Sequence, residues 1–207
     1  MSKPKLIYFD FAGSRGEECR LALHLGGIDF EDVRIPRQEW PALKPVTPFG
    51  TLPVFELPGK APLSDTNAIL VYIGRRCNLH PKDDYEAAFH ESLMGYVEDL
   101  RHKVSPTMRI TDEAQKRAER EELGRNLLPG WAQNVENLLG AHPFVGGDNL
   151  NVVDLKLYMI VRWFVSGSVD YIPATVFDHC PRLKQIYLSV GAHPGVKTWL
   201  ARTAPQS

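Results

Sequence analysis

The pattern of apolar residues changes near residue 80, and this change constrains the fold more than any other feature. Before it, short apolar runs of strand type, such as 5–11 and 52–57, alternate with helical stretches. After it, apolar residues recur with helical periodicity over 85–104, 111–139 and 151–165. The sequence therefore predicts a mixed α/β domain over 1–80, a linker over 81–84 and an all-helical domain over 85–207.

Three local signals refine this prediction. Ser14 and Glu17 match a capping box, which predicts that a helix begins at Ser14. Asn151 and Asp154 suit the buried start of the apolar helix that follows them, so we expect a structural role for both. Pro129 is expected to kink the long helix over 111–139, because proline lacks the backbone N–H that a helix interior needs.

Composition excludes several classes of function. The chain carries 24 basic and 25 acidic residues, so neither nucleic acid nor an anionic membrane is an expected partner. The N-terminus does not resemble a signal peptide and no run of about 18 apolar residues occurs, which predicts a cytoplasmic protein. The three cysteines, Cys19, Cys77 and Cys180, are widely spaced and lie in no Cys/His cluster, so neither a disulfide framework nor a metal is expected.

Five segments together resemble the cytosolic glutathione transferases of the tyrosine type, most closely the sigma class that includes prostaglandin D synthase. They are KLIYFDFAGSRGEECRLAL (5–23), TPFGTLPVFE (47–56), LSDTNAILVYIGRR (63–76), NLNVVDLKLY (149–158) and HPGVKTWLAR (193–202). The resemblance implies an N-terminal thioredoxin-like domain followed by a C-terminal helical bundle. It also implies glutathione as a substrate and a homodimer as the assembly.

The resemblance implies that Tyr8 and Arg15 are catalytic. A free thiol has a pKa of about 8.5, and a hydrogen bond from a neutral tyrosine to the thiolate would lower it. Arg15 would stabilise negative charge near the sulfur. Without the resemblance, Tyr8 would be an ordinary strand aromatic and Arg15 an exposed residue in a first helical turn. Cys19 lies one turn into the helix, so we interpret it as a core residue and not as a nucleophile.

The resemblance further implies which residues bind glutathione. In chain order they are Tyr8, Trp40, Lys44, Leu52, Pro53, Asp65, Thr66 and Asp99. A cis-proline at 53 would present the Leu52 backbone to the cysteinyl part, and Asp65 and Thr66 would hold the γ-glutamyl part at a helix start. The sigma class usually carries Gln-Ser where this chain has Asp65-Thr66.

Trp40 and Lys44 would bind the glycyl carboxylate of glutathione. Asp99 would reach the glutathione bound to the other subunit, although it could equally be an exposed acid on a long helix. Phe49 is expected to pack locally, the alternative being an aromatic key in the dimer interface.

The second substrate is expected to be a small hydrophobic electrophile between Tyr8 and the helical domain. Phe11, Val104 and Met108 are the predicted wall residues, together with the region 162–164. Two other functions stay open at this point. The same site could perform a glutathione-dependent isomerisation, as prostaglandin D synthase does, or the chain could be a non-enzymatic protein like the related lens crystallins.

Overall fold

The computed structural model describes residues 3–203, and four strands within that range form one mixed sheet. They are Lys5–Phe9 (β1), Glu31–Ile35 (β2), Val54–Glu56 (β3) and Leu63–Ser64 (β4). Their order across the sheet is β2-β1-β3-β4. β1 and β2 are parallel, whereas β1–β3 and β3–β4 are antiparallel. A parallel pair needs a long crossover, and the helix Ser14–Leu25 (α1) provides it.

Helices make up the remainder of the regular structure. Besides α1, they are Trp40–Leu43 (α2), Thr66–Cys77 (α3), Asp84–Val104 (α4), Glu113–Glu122 (α5), Leu128–Leu138 (α6), Val152–Val165 (α7), Pro181–Ala192 (α8) and Pro194–Thr203 (α9). The fold prediction is confirmed, since a thioredoxin-like domain with the small sheet precedes an all-helical domain. The change falls between Cys77 and Asp84, beside the predicted linker 81–84.

Helix α1 begins at Ser14 as predicted, but the predicted capping interaction does not form. Gly13 is the N-cap residue, and Ser14 has a positive φ of 57°. Glu17 does not reach back to the helix start, because its carboxylate is buried and bonded to Arg20 and to the Trp199 indole. The capping-box prediction for Ser14 and Glu17 is therefore wrong, because the Glu17 carboxylate forms a buried ion pair with Arg20 instead.

At Pro129, where the sequence predicts a kink, the helical region is irregular. A π-helical turn, Leu123–Leu127, joins α5 to α6, and Pro129 lies in the first turn of α6. The Leu128 N–H still bonds to the Leu123 carbonyl oxygen, so the helical backbone continues through this junction, and Pro129 follows directly after the irregular turn. The prediction for Asn151 and Asp154 is confirmed, because the Asp154 carboxylate accepts hydrogen bonds from the backbone N–H groups of Asn151 and Val145, each at 2.8 Å.

Helix α7 lies at the centre of the molecule and packs against α1, α4 and α8. Its side chains are almost all buried, which explains its nearly continuous apolar sequence. The contact between α1 and α7 joins the two domains, and the loop 10–13 follows β1 at that junction. Within residues 3–203, no helix is both long enough and apolar enough to cross a membrane.

Candidate active site

Tyr8 lies near the end of β1, at the junction of the two domains. Its ring is only 5% exposed, and it packs at 5.7 Å from the ring of Phe11. A side chain at Gly16 would overlap the Tyr8 ring, so the absence of a side chain there allows α1 to approach the tyrosine closely. The tyrosine is thus held between the sheet and the first turn of α1.

A cavity of about 770 Å³ opens beside Tyr8. One wall comes from the loop 11–15 and the other from α4, the turn that follows α4, and α7. The residues that line the cavity include Tyr8, Phe11, Arg15, Met108, Met159 and Arg162. The structure therefore brings together Tyr8, Arg15, Phe11 and Met108, as the sequence predicted.

Val104 does not line this cavity, and that prediction is corrected. Val104 is fully buried in the core, whereas Arg101, Ser105 and Met108 line the cavity. Val104 has the spacing of that face, three positions after Arg101 and four before Met108, but its side chain is packed in the core and does not reach the cavity. In the region 162–164, Arg162 and Trp163 line the cavity but Phe164 is buried in the core.

The Tyr8 phenol is neutral at physiological pH. Burial raises its pKa above the ordinary value of 10, and this effect outweighs the Ser14 hydroxyl beside it and the charges of Arg15 and Arg101, which act in the opposite direction. A neutral tyrosine keeps its proton and can donate a hydrogen bond to an anion in the cavity. It is not arranged to act as a general base.

Five charged side chains form a buried cluster beneath the cavity, which we call the interdomain charge cluster. It consists of Arg15, Glu18, Glu98, Arg101 and Lys156. Glu98 receives Arg15 at 2.6 Å, Arg101 at 2.9 Å and Lys156 at 2.5 Å, while Glu18 pairs with Arg101 and Lys156. Three cations face two carboxylates, so the cluster has a formal excess of one positive charge near Tyr8.

Burial of Glu98 opposes its ionisation, but Lys156, Arg101 and Arg15 outweigh that effect and lower the pKa of Glu98 to about 2. Glu98 therefore stays ionised at neutral pH and holds the Arg15 guanidinium at the cavity wall. Sequence analysis had not singled out Glu98 or Lys156. A lysine inside the mostly apolar helix α7 was the available signal, because a buried ammonium requires a carboxylate partner.

Arg20 fixes the loop that carries Phe11. It is fully buried and donates hydrogen bonds to the carbonyl oxygens of Phe9 (3.3 Å) and Phe11 (3.0 Å). Its Nε also donates to Asp32 on β2, at 2.8 Å. One side chain thereby connects the active-site loop to the sheet, and sequence analysis had missed it too.

Leu52 and Pro53 lie beside Tyr8 and beside the start of α3. The Leu52–Pro53 peptide bond is cis, as predicted. Ile7 pairs with Val54, so Tyr8 and Pro53 are neighbours at the edge of the same strand pair. Val54 also pairs with Ser64, whose hydroxyl lies 3.4 Å from the Pro53 carbonyl oxygen, and Asp65 follows directly.

The start of α3 presents two polar atoms without a hydrogen-bond partner among residues 3–203. Asp65 has a φ of 83°, which is unusual for a residue other than glycine, and its Oδ1 caps the helix by accepting from the Ala68 N–H at 3.0 Å. The Thr66 hydroxyl and the Asn67 side-chain oxygen are buried, and within residues 3–203 neither has a hydrogen-bond partner. Such atoms normally find a partner, and a bound polar ligand would supply one.

Trp40 and Lys44 lie on the other side of β1. Trp40 packs edge-on against Phe9 at 5.8 Å, and Lys44 is exposed, with no carboxylate within 4.0 Å in the described part of the chain. Asp99 is exposed on α4 and lines a separate depression of about 220 Å³ next to α6, not the Tyr8 cavity. Phe49 is 86% exposed, so the expectation that it packs locally is wrong.

Comparison with known proteins now identifies the class to which this fold and site belong. Residues 15–76 match the family of the glutathione S-transferase N-terminal domain, and residues 98–203 match that of the glutathione S-transferase C-terminal domain. The chain belongs to the glutathione S-transferase family, a family of enzymes. Glutathione S-transferase 1 of Ascaris suum is 31% identical over 206 residues, which covers 97% of each chain.

Solved structures give the same family. Prostaglandin synthase D of Nilaparvata lugens superposes with a TM-score of 0.85 at 26% identity, covering all of both chains. A glutathione S-transferase of the hookworm Necator americanus, described as monomeric, superposes with a TM-score of 0.77 at 27% identity and covers 100% of this chain and 99% of its own. Among residues 3–203, no group of three or more His, Cys, Asp or Glu side chains is arranged to hold a metal ion.

Proposed function

We propose that this enzyme activates glutathione through Tyr8 and transfers it to an electrophile in the adjacent cavity. The observation that carries the proposal is a neutral, buried tyrosine that lines a cavity beside Arg15 and the interdomain charge cluster. The Tyr8 O–H donates a hydrogen bond to the glutathione sulfur and favours the thiolate. The excess positive charge nearby acts in the same direction.

In this reaction the thiol proton leaves to solvent when glutathione binds. The thiolate then attacks the electrophilic carbon, a sulfur–carbon bond forms, and the leaving group departs with its electron pair. Tyr8 remains protonated throughout, because burial keeps its pKa above the ordinary value. The protein contributes a lowered thiol pKa and a fixed position for the sulfur.

The glutathione backbone is proposed to lie along the edge formed by Leu52, Pro53 and the start of α3. The unpartnered Thr66 hydroxyl and the N–H groups at the start of α3 suit the γ-glutamyl carboxylate, and the second carboxylate oxygen of Asp65 suits the ammonium. Lys44 and Trp40 are proposed to bind the glycyl carboxylate, since Lys44 is exposed and has no carboxylate partner of its own.

The proposal includes a cytoplasmic homodimer in which Asp99 reaches the glutathione of the other subunit. The exposed side chains of Phe49 and Val46 support an interface on the N-terminal domain, because large apolar side chains exposed to this degree mark contact surfaces. Asp99 is also exposed and therefore available to a partner. Analytical ultracentrifugation of Phe49→Ser tests the dimer, and an unchanged dimer would contradict this role of Phe49.

The proposed chemistry is tested by conjugation of glutathione to chlorodinitrobenzene. We expect Tyr8→Phe to lower kcat by at least tenfold, because the thiolate loses the tyrosine hydroxyl that donates to it. Tyr187→Phe is the control, and it should leave turnover unchanged because Tyr187 does not line the cavity. Equal turnover by wild type and Tyr8→Phe would refute the catalytic role. Tight glutathione binding without any turnover in wild type would instead favour the crystallin-like alternative.

Asp65→Asn tests the γ-glutamyl site. Asparagine can still cap α3 but carries no charge for the ammonium group, so we expect glutathione to bind about tenfold more weakly by calorimetry. Asp83→Asn is the matched control, because Asp83 caps α4 in the same manner. Unchanged affinity in Asp65→Asn would exclude the charge interaction.

Isomerisation is a second candidate function, and the likeness to prostaglandin synthase D of Nilaparvata lugens favours it. It requires the same thiolate, but the second substrate leaves rearranged and glutathione is regenerated. Product analysis with a lipid endoperoxide separates the two reactions, since conjugation consumes glutathione and isomerisation does not.

A further inference from the structure

Every charged side chain that lines the Tyr8 cavity is an arginine. The five are Arg15, Arg37, Arg101, Arg109 and Arg162. Between them lie apolar surfaces of aromatic and methionine side chains, including Phe11, Met108, Met159 and Trp163. A cavity for purely hydrophobic electrophiles does not need a partly buried guanidinium such as that of Arg162, because burial of this charge without an anion is unfavourable, whereas Arg37 and Arg109 are exposed to solvent.

Two of these arginines already have carboxylate partners. Arg15 is paired with Glu98 at 2.6 Å, and Arg101 is paired with Glu18 and Glu98. The other three, Arg37, Arg109 and Arg162, have no carboxylate within 4.0 Å in the described part of the chain. The cavity therefore contains positive charge that no described protein group neutralises.

Arg37 is used differently from Arg109 and Arg162. Its guanidinium lies over the rings of Phe9 and Phe11, at 5.4 and 5.6 Å from their centroids. Such a cation–π contact provides a partner on the protein side. Arg109 and Arg162 have no comparable aromatic contact among residues 3–203, and they line the cavity on its helical-domain side.

Arg162 has the clearest need for a ligand. Its Nη1 nitrogen is buried and has no hydrogen-bond partner within residues 3–203. It projects from α7 between Met159 and Trp163, which are three positions before and one position after it and which also line the cavity. Nη1 has almost no accessible surface, so the Arg162 guanidinium has to turn toward the cavity to bind an anion. A guanidinium matches the geometry of a carboxylate, and after this turn the anion would satisfy Nη1 while the apolar body of the ligand contacts Met159 and Trp163.

We propose that the second substrate is an apolar electrophile that carries a carboxylate, bound by Arg162 and Arg109. The inference rests on the proposed function, in which the glutathione sulfur lies at Tyr8 and both glutathione carboxylates are bound elsewhere. An anion that binds to Arg162 and Arg109 would therefore belong to the electrophile. The thiolate forms its bond to the electrophilic carbon, the leaving group departs with its electrons, and the carboxylate is not consumed.

A matched pair of substrates tests this proposal. Chlorodinitrobenzoate and its methyl ester differ in charge but share the ring, the chlorine and the site of attack. Each kcat/KM is divided by the uncatalysed rate constant with glutathione, which removes the difference in intrinsic reactivity. We expect wild type to prefer the acid by at least about tenfold, and we expect added salt to reduce that preference.

Three variants assign the preference to the cavity. Arg162→Met keeps an unbranched apolar stem, shorter than that of arginine, and removes the charge, so it should abolish the preference for the acid while leaving the ester unchanged. Arg162→Lys should retain most of the preference. Arg125→Met, which removes an exposed arginine outside the cavity, should change neither substrate. Arg109→Met, at an exposed position, provides a second measurement that does not depend on the folding of the Arg162 variants.

The outcomes separate this inference from the proposed function. Turnover of the ester without preference for the acid, or an equal loss of both substrates in Arg162→Met, would overturn the inference and leave the proposed function intact. No turnover of either substrate would refute the proposed function. In that case calorimetry with the acid and ester conjugates of glutathione decides the inference, since equal affinities would overturn it and tighter binding of the acid would support it.

Discussion

Glu98 makes the strongest quantitative prediction, because one carboxylate serves three cations. Its pKa falls from an ordinary 4.5 to about 2 in the folded protein. A difference of about 2.5 pH units corresponds to a contribution of about 3 kcal/mol to the free energy of unfolding at neutral pH. Glu98 is 13% exposed, so solvent screens this contribution only weakly.

Glu98→Gln removes that contribution and leaves Glu18 as the sole carboxylate of the interdomain charge cluster. We expect the variant to lose about 3 kcal/mol at pH 7, which lowers the Tm by roughly 6–12 °C for a chain of this length. The assay is urea unfolding followed by far-ultraviolet circular dichroism at a fixed protein concentration. Glu91→Gln is the matched control on the same helix, since the Glu91 side chain is 41% exposed and its contacts with Arg75 and His80 are each worth about 1 kcal/mol or less at pH 7.

The pH dependence gives a second check with a defined sign. A carboxylate whose pKa is lower in the folded state stabilises the protein above its unfolded pKa, and this stabilisation is lost as the pH falls toward about 2. The difference between wild type and Glu98→Gln should therefore shrink from about 3 kcal/mol at pH 7 to about 2 kcal/mol at pH 3.5. Equal losses of unfolding free energy in Glu98→Gln and Glu91→Gln would show that Glu98 does not stabilise the cluster as proposed. The same conclusion would follow if the difference between wild type and Glu98→Gln did not change with pH.

Three further predictions follow from single residues. Gly16→Ala should lower turnover at least tenfold and shift the near-ultraviolet spectrum, because the added methyl group overlaps the Tyr8 ring; wild-type turnover would contradict the packing. Burial raises the pKa of the Cys19 thiol, so a thiol reagent should leave Cys19 unlabelled in the native protein and Cys19→Ala should stay active; labelling at neutral pH would contradict this. Burial and the neighbouring His80 lower the pKa of His90 to about 4, so the folded state loses stability as the pH falls from 6.5 toward 4; an NMR titration of His90 with an ordinary midpoint would contradict this.

Sequence patterns predicted the fold well because each pattern has a direct physical cause. The apolar helix α7 was recognisable because burial on all sides requires apolar residues throughout, and its capping residues were recognisable because a buried helix start needs acceptors. The capping box at Ser14 failed because the Glu17 carboxylate is bonded to Arg20 and to the indole of Trp199, which is distant in the chain. Long-range partners of this kind leave no local signal.

The site was predictable only where a motif marks it. Tyr8, Arg15 and Met108 line the cavity as expected, whereas Val104 is buried in the core although its spacing suited the cavity wall. Arg162 was included in the predicted wall region, but its charge was not used in the prediction. A lone arginine in an apolar helix indicates a polar function, yet the identity of its partner depends on which helix faces it.

We propose that the Tyr8 hydroxyl keeps the sulfur of bound glutathione ionised near neutral pH. The most direct test is a titration of the thiolate absorbance of the glutathione complex in wild type, Tyr8→Phe and Tyr187→Phe. We expect an apparent thiol pKa below about 7 in wild type and in Tyr187→Phe, and a value at least about one unit higher in Tyr8→Phe. The same thiol pKa in wild type and Tyr8→Phe would show that Tyr8 does not control the ionisation of the sulfur.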